Sequence, residues 1–122
     1  MALETTIQDS RKSTFGQNVV SPKSGLNPVE YSRFINREFS ASAVLKYNKQ
    51  YTKVEIATVV EMDGSTSTYT VKGTGPVAMK EELVRILKLL PKSIPATRDG
   101  KPIRYRNYQP FEFTYKHEDV SN

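Results

Sequence analysis

Val54-Glu55-Ile56-Ala57-Thr58-Val59-Val60-Glu61-Met62-Asp63-Gly64, running on into Ser65-Thr66-Ser67-Thr68-Tyr69-Thr70-Val71, is the stretch that decides the fold. Val54, Ile56, Thr58 and Val60 alternate with Glu55, Ala57, Val59 and Glu61, the period of a strand with two unlike faces. Asp63-Gly64 then signals a hairpin, because a two-residue type I′ turn needs positive φ at both positions. That loop sets Met62 against Ser65, Val60 against Ser67, Thr58 against Tyr69 and Ile56 against Val71. In this register the apolar residues of both strands share one side, so the sheet has one face to cover.

The segments on either side supply the cover. Upstream, Asn27 suits an N-cap, Pro28 the first helical position, and Glu30 completes a capping box. Tyr31, Phe34, Ile35 and Phe39 follow at helical spacing, which predicts a helix over 28–39. Residues 40–51 fit two patterns: Ala41, Ala43, Leu45 and Tyr47 alternate as in a strand, while Ala43, Val44 and Tyr47 suit a short helix. A short irregular helix ending in a turn at Asn48-Lys49 is the reading preferred. Downstream, Gly73-Thr74-Gly75-Pro76 ends the hairpin, and Met79, Leu83, Ile86, Leu87 and Leu90 line one face of a second helix. Glu81 and Glu82 lie near its start and Arg85 and Lys88 later, as the helix dipole favours; Pro91 ends it.

Residues 91–102, with three prolines and Asp99-Gly100, read as a loop. From 103 to 116 the alternation returns: Ile103, Tyr105, Phe111, Phe113 and Tyr115 share one parity, Arg104, Arg106, Glu112 and Lys116 the other. Pro110 lacks a donor, so the strand bends or lies at an edge there. The order helix, hairpin, helix, strand predicts a two-layer α+β domain: an antiparallel three-stranded sheet with two helices on one face. Residues 1–26 are polar and without period, and are expected to be a disordered tether or linker, with a short strand at 18–20 as the alternative. Residues 117–122 are expected to be a polar tail.

The bulk composition agrees with a single small domain. The chain has 122 residues, 37% of them hydrophobic, so its core is small. Its net charge is +5, and the basic excess belongs to the folded part, since residues 28–116 carry fifteen basic and nine acidic groups, a balance of +6. Such an excess favours acidic partners or simply keeps the domain soluble. No segment approaches the roughly 18 apolar residues of a membrane span, and no signal-peptide pattern is visible in the first ten residues.

The chemistry of an enzyme is missing from the sequence. Cysteine is absent, and the one histidine, His117, falls in the polar tail beside Glu118 and Asp119, so neither a metal cluster nor a nucleophile–base pair can be assembled. Glu81-Glu82 is explained by its place at a helix start. Gly73-Thr74-Gly75-Pro76 lacks the Lys-Ser/Thr of a phosphate loop. No catalytic residue, metal ligand or cofactor is therefore expected. The basic and aromatic strand over 103–116 raises nucleic-acid binding as an alternative, with steep salt dependence as its signature. Tyr105, Phe111 and Phe113, however, lie on the parity that should meet the helices, and a ring in the core cannot stack on a base. No nucleic-acid partner is expected.

Phe34-Ile35-Asn36-Arg37-Glu38-Phe39 resembles the first helix of TonB C-terminal domains, and VEIATVVEMDG over 54–64 resembles that family's first strand and turn. Leu90-Pro91-Lys92-Ser93-Ile94-Pro95, then Asp99-Gly100-Lys101-Pro102-Ile103, is similar to the loop after its second helix. The segment over 104–113, with Pro110, is similar to its last strand. The likeness spans about residues 28–116 in order and spacing. It departs from the family where Ala41-Ser42 replaces the usual Tyr-Pro, and where Thr52 stands in place of a glycine before the first strand.

The resemblance implies a periplasmic interaction module that takes an extended segment of an outer-membrane TonB-dependent receptor as an added strand. The edge it implies is Ile103, Arg104, Tyr105, Arg106, Asn107 and Tyr108, with Arg104, Arg106 and Tyr108 pointing outward to select side chains. It also implies coupling to an inner-membrane energising complex through an N-terminal anchor that this chain does not contain. Self-pairing of the same edge into a homodimer is a second outcome. A sensor or interaction domain cut from a larger membrane signalling protein is the alternative function.

Overall fold

The computed structural model describes residues 7–11 and 18–113. Its elements in chain order are β1 (Ile7–Asp9), β2 (Val19–Val20), α1 (Pro28–Ala41), α2 (Ala43–Lys46), β3 (Thr52–Val60), β4 (Thr66–Thr74), α3 (Val77–Leu87), β5 (Ala96–Arg98) and β6 (Lys101–Phe113). The molecule is an α+β protein. β3 lies between β4 and β6 and is antiparallel to both.

The sheet is larger than the three strands expected. β5 pairs antiparallel with the start of β6, β2 pairs antiparallel with β5, and β1 adds to β6 in parallel, making six strands in all. The three extra strands are two or three residues long and are joined largely by main-chain hydrogen bonds, so they leave no apolar period in the sequence. Two of these strands, β1 and β2, thus fall within the segment expected to be a tether, and β2 falls on the alternative strand at 18–20. Lys23 also exchanges main-chain hydrogen bonds with Ile94, at 3.0 and 2.8 Å.

Asn27 accepts a hydrogen bond from the Glu30 amide at 2.8 Å, and Glu30 accepts one from the Asn27 amide at 3.1 Å, so α1 begins with the capping box the sequence spells. Residues 43–46 resolve the ambiguous region as the short helix α2, capped by Ser42. On α3 the buried residues are Met79, Leu83, Ile86 and Leu87, with Leu90 packed at the margin of the core. Val54, Ile56, Leu83 and Leu87 form the core cluster, joined by Phe39, Tyr69, Val71, Phe111 and Phe113. Phe39 of α1 meets the rings of Phe111 and Phe113 at centroid distances of 6.2 and 5.5 Å. Each fully buried aliphatic side chain such as Ile56 or Leu83 contributes about 1.5–3 kcal/mol.

The two Asp-Gly pairs exchange the roles assigned to them. Asp99 and Gly100 both have positive φ, 52° and 80°, the signature of a type I′ turn, and they join β5 to β6 within the supposed loop. At the β3–β4 turn only Gly64 is positive, at 88°. There the Gly64 amide donates to Glu61 at 2.9 Å and the Glu61 amide donates to Ser65 at 2.7 Å, closing a three-residue loop of Met62, Asp63 and Gly64. Ile56 opposite Val71 and Thr58 opposite Tyr69 hold as expected, but Val60 pairs with Thr66 rather than Ser67, across a bulge. The cause is tertiary: the Gly64 carbonyl accepts from the Ser93 amide at 2.8 Å, so the hairpin tip is docked on the segment after α3. A Cβ at Gly64 would stand 2.0 Å from the Ser93 carbonyl oxygen.

Candidate functional site: the outer edge of β6

β6 is the longest strand, with 13 residues. Tyr105 and Arg106 pair with β3 on one side and with β1 on the other, so β1 occupies the edge opposite β3. The Ser10 amide donates to the Arg106 carbonyl at 3.0 Å. Main-chain groups alternate along a strand, so those of the even-numbered residues point to this outer edge. Pro110, opposite Glu55 in the ladder, therefore costs no bond to β3, since its missing donor faces outward. Among the described residues nothing pairs with the outer edge beyond Arg106. It offers the main-chain groups of Tyr108 and Glu112 and the carbonyl of Pro110. The outer edge of β4 is likewise bare among these residues.

The six residues expected to form one open edge have different surroundings. Ile103 pairs with Ala96 of β5, and Arg104, Tyr105 and Arg106 pair with β1, so the edge over 103–106 is closed by the chain itself. Tyr105 is buried, as its parity predicts, but its hydroxyl meets Ser21 at 3.2 Å rather than a helix. Asn107 faces the helix side and lines a cavity of about 450 Å³ with Tyr31, Thr58, Tyr69, Lys88 and Gln109. Arg104, Arg106 and Tyr108 lie on the opposite face. Arg104 grips Glu61 with two hydrogen bonds, 2.7 and 3.2 Å, and this guanidinium, helped by Ser67, holds the Glu61 carboxyl below its ordinary range.

Arg106 and Tyr108 converge on Asp9 of β1, whose side chain is only 9% exposed. The Tyr108 hydroxyl donates to Asp9 at 2.7 Å, Arg106 Nη1 lies 3.7 Å away, and the Arg11 amide donates to the other oxygen at 2.8 Å. Hydrogen bonding to Asp9 raises the Tyr108 pKa above its usual value, because the bond needs the protonated hydroxyl. Arg11 reaches across the helix-free face, its guanidinium 3.6 Å from the centre of the Tyr108 ring and paired with Glu55. Gln8 points the other way, where Arg98 Nη2 donates to its Oε1 at 2.8 Å. Arg98 Nε is buried with no hydrogen-bond partner among the described residues.

Sequence reasoning missed β1 because only Ile7 in it is apolar, and what fixes it is polar. Among the described residues no group of three or more His, Asp or Glu side chains is placed to hold a metal, and no helix is long and apolar enough to cross a membrane. His117 lies outside the described residues. Glu82 is engaged by Arg85 at 2.5 Å and by Ser42, while Glu81 is exposed, so the two carboxylates do not face one another as an acid–base pair. Comparison with known family models, curated proteins and solved structures finds no match to this chain.

Proposed function

We propose that this domain is a periplasmic interaction module of the TonB C-terminal type. It takes an extended segment of an outer-membrane receptor as an added strand along the outer edge of β6, in support of TonB-dependent transport. The observation that carries the reading is β1: a separate segment of chain already lies on this edge as a parallel strand, beside a further stretch whose main-chain groups have no partner among the described residues. Main-chain hydrogen bonds supply affinity in such an addition, and alternate side chains supply selectivity. Support also comes from the element order of helix, hairpin, helix and long final strand, and from the motifs over 34–39, 54–64 and 90–113.

The test is an amide chemical-shift titration of labelled protein with receptor-derived extended peptides at two salt concentrations. Saturable shifts along the outer edge of β6, from Arg104 to Glu112, that persist at the higher salt concentration are the expected result. Absence of shifts with every such peptide would remove the receptor-binding role.

A further inference from the structure

Successive side chains of an added strand point to opposite faces of the sheet. At the β6 edge each face presents a guanidinium to that strand. On the helix side Arg98 meets Gln8 through Nη2 alone, leaving Nε buried and unpartnered among the described residues. On the other side Arg106 and Tyr108 meet the buried carboxylate of Asp9. A carboxylate accepts the Nε and Nη2 donors of an arginine together, in a fork that a glutamine amide oxygen cannot match. The position now held by Gln8 is therefore better suited to Glu.

We propose that the outer edge of β6 selects an extended, parallel segment with two adjacent acidic residues, and that residues 7–11 of this chain are its resident occupant, displaced when such a partner binds. The proposal rests on the strand-addition reading above and adds the chemistry of the partner and a competitor for it. The occupant matches the edge imperfectly: one of its two inward-held side chains is a carboxylate, the other an amide. A partner with acids at both positions makes the same main-chain bonds and one more charge-assisted pair.

The probes are blocked peptides spanning residues 4–12, with the native sequence, with Gln8→Glu and with Asp9→Lys, and an uncharged Thr/Val peptide of equal length. They are titrated against the full chain and against its Asp9→Lys variant, in which the resident strand loses its anchor. The expected order of affinity is Gln8→Glu, then native, then Asp9→Lys, with roughly a tenfold step at each substitution, the size of one charge-assisted hydrogen bond. Every acidic peptide should bind the variant about tenfold or more tighter than the unaltered chain. As a check free of any mutation, excess Gln8→Glu peptide should speed exchange of the Ser10 amide in the unaltered chain about tenfold or more, because that amide loses Arg106. Equal binding to both chains, equal binding of Gln8→Glu and Asp9→Lys peptides, or an unchanged Ser10 exchange rate would overturn the proposal. Shifts from the uncharged peptide equal to those from the acidic ones would sink the selectivity while leaving strand addition intact. No binding by any peptide to either chain would remove both.

Discussion

The Tyr108 hydroxyl donates to the Asp9 carboxylate at 2.7 Å across 99 positions of sequence, and this bond ties the first described strand to the last. Tyr108→Phe keeps the ring under Arg11 and removes only the donor. The expected result is faster exchange of the Ser10 amide, by about tenfold, with little change at core amides such as Leu83. The bond also sets an alkaline limit. The Tyr108 pKa is raised above 10.0 in the folded state, so its contribution is complete below pH 10.0 and is lost as pH rises through the raised value. Tyr51, raised by its hydrogen bond to Glu112, behaves in the same sense. Denaturant midpoints measured above pH 10.0 should fall less in the Tyr51→Phe/Tyr108→Phe double variant than in the native chain.

Gly64 and Gly100 both have positive φ but differ in their surroundings. Gly100 has nothing within 4 Å of an added Cβ, so Gly100→Ala bears only the backbone strain, about 1–2 kcal/mol. Gly64→Ala adds a collision with the Ser93 carbonyl and is expected to cost ~2–5 kcal/mol. Urea unfolding of the two variants tests the difference; equal losses would mean that the hairpin tip is not held against Ser93.

Glu82 joins three helices: it accepts from Arg85 within α3 and from Ser42, the residue that ends α1 and caps α2. Arg85 first, and then Ser42, hold its pKa down to about 2 from an ordinary 4.5. A depressed carboxylate contributes stability above its unfolded pKa and loses it as pH falls through the folded one. The native chain should therefore lose this contribution between pH 4.5 and about 2, and Glu82→Gln should flatten that part of the acid limb in a pH series of thermal melts.

Two substitutions separate local from tertiary stabilisation. Asn27→Ala removes the capping box of α1 and should cost about 0.5–2 kcal/mol. Leu83→Ala opens a cavity at a fully buried position and should cost about 2–5 kcal/mol. Thermal denaturation of both, with a smaller shift for Asn27→Ala, is the check; a larger one would place the weight on the helix terminus rather than the core.

The sequence by itself determined the parts whose signals are local or periodic. Asn27, Pro28 and Glu30 encode the start of α1 in side-chain chemistry within one turn. Met79, Leu83, Ile86 and Leu87 mark the buried face of α3 because a helix repeats every 3.6 residues. The alternation of Val54 to Val60 defines β3; Ile56 stands opposite Val71 as a two-residue turn would place it, but only because a bulge offsets the third residue of the actual loop.

Only the tertiary structure decided which Asp-Gly pair forms the two-residue turn, because the Ser93 amide, remote in sequence, fixes the shape around Gly64. It decided, too, that Arg106 and Tyr108 face a carboxylate of the chain's own first strand. That strand carries a single apolar side chain, and it is held by main-chain bonds and by the groups meeting Gln8 and Asp9. Hydrophobic patterning registers burial of apolar surface; a contact fixed by hydrogen bonds between distant segments has no period, and its partners meet only once the chain has folded.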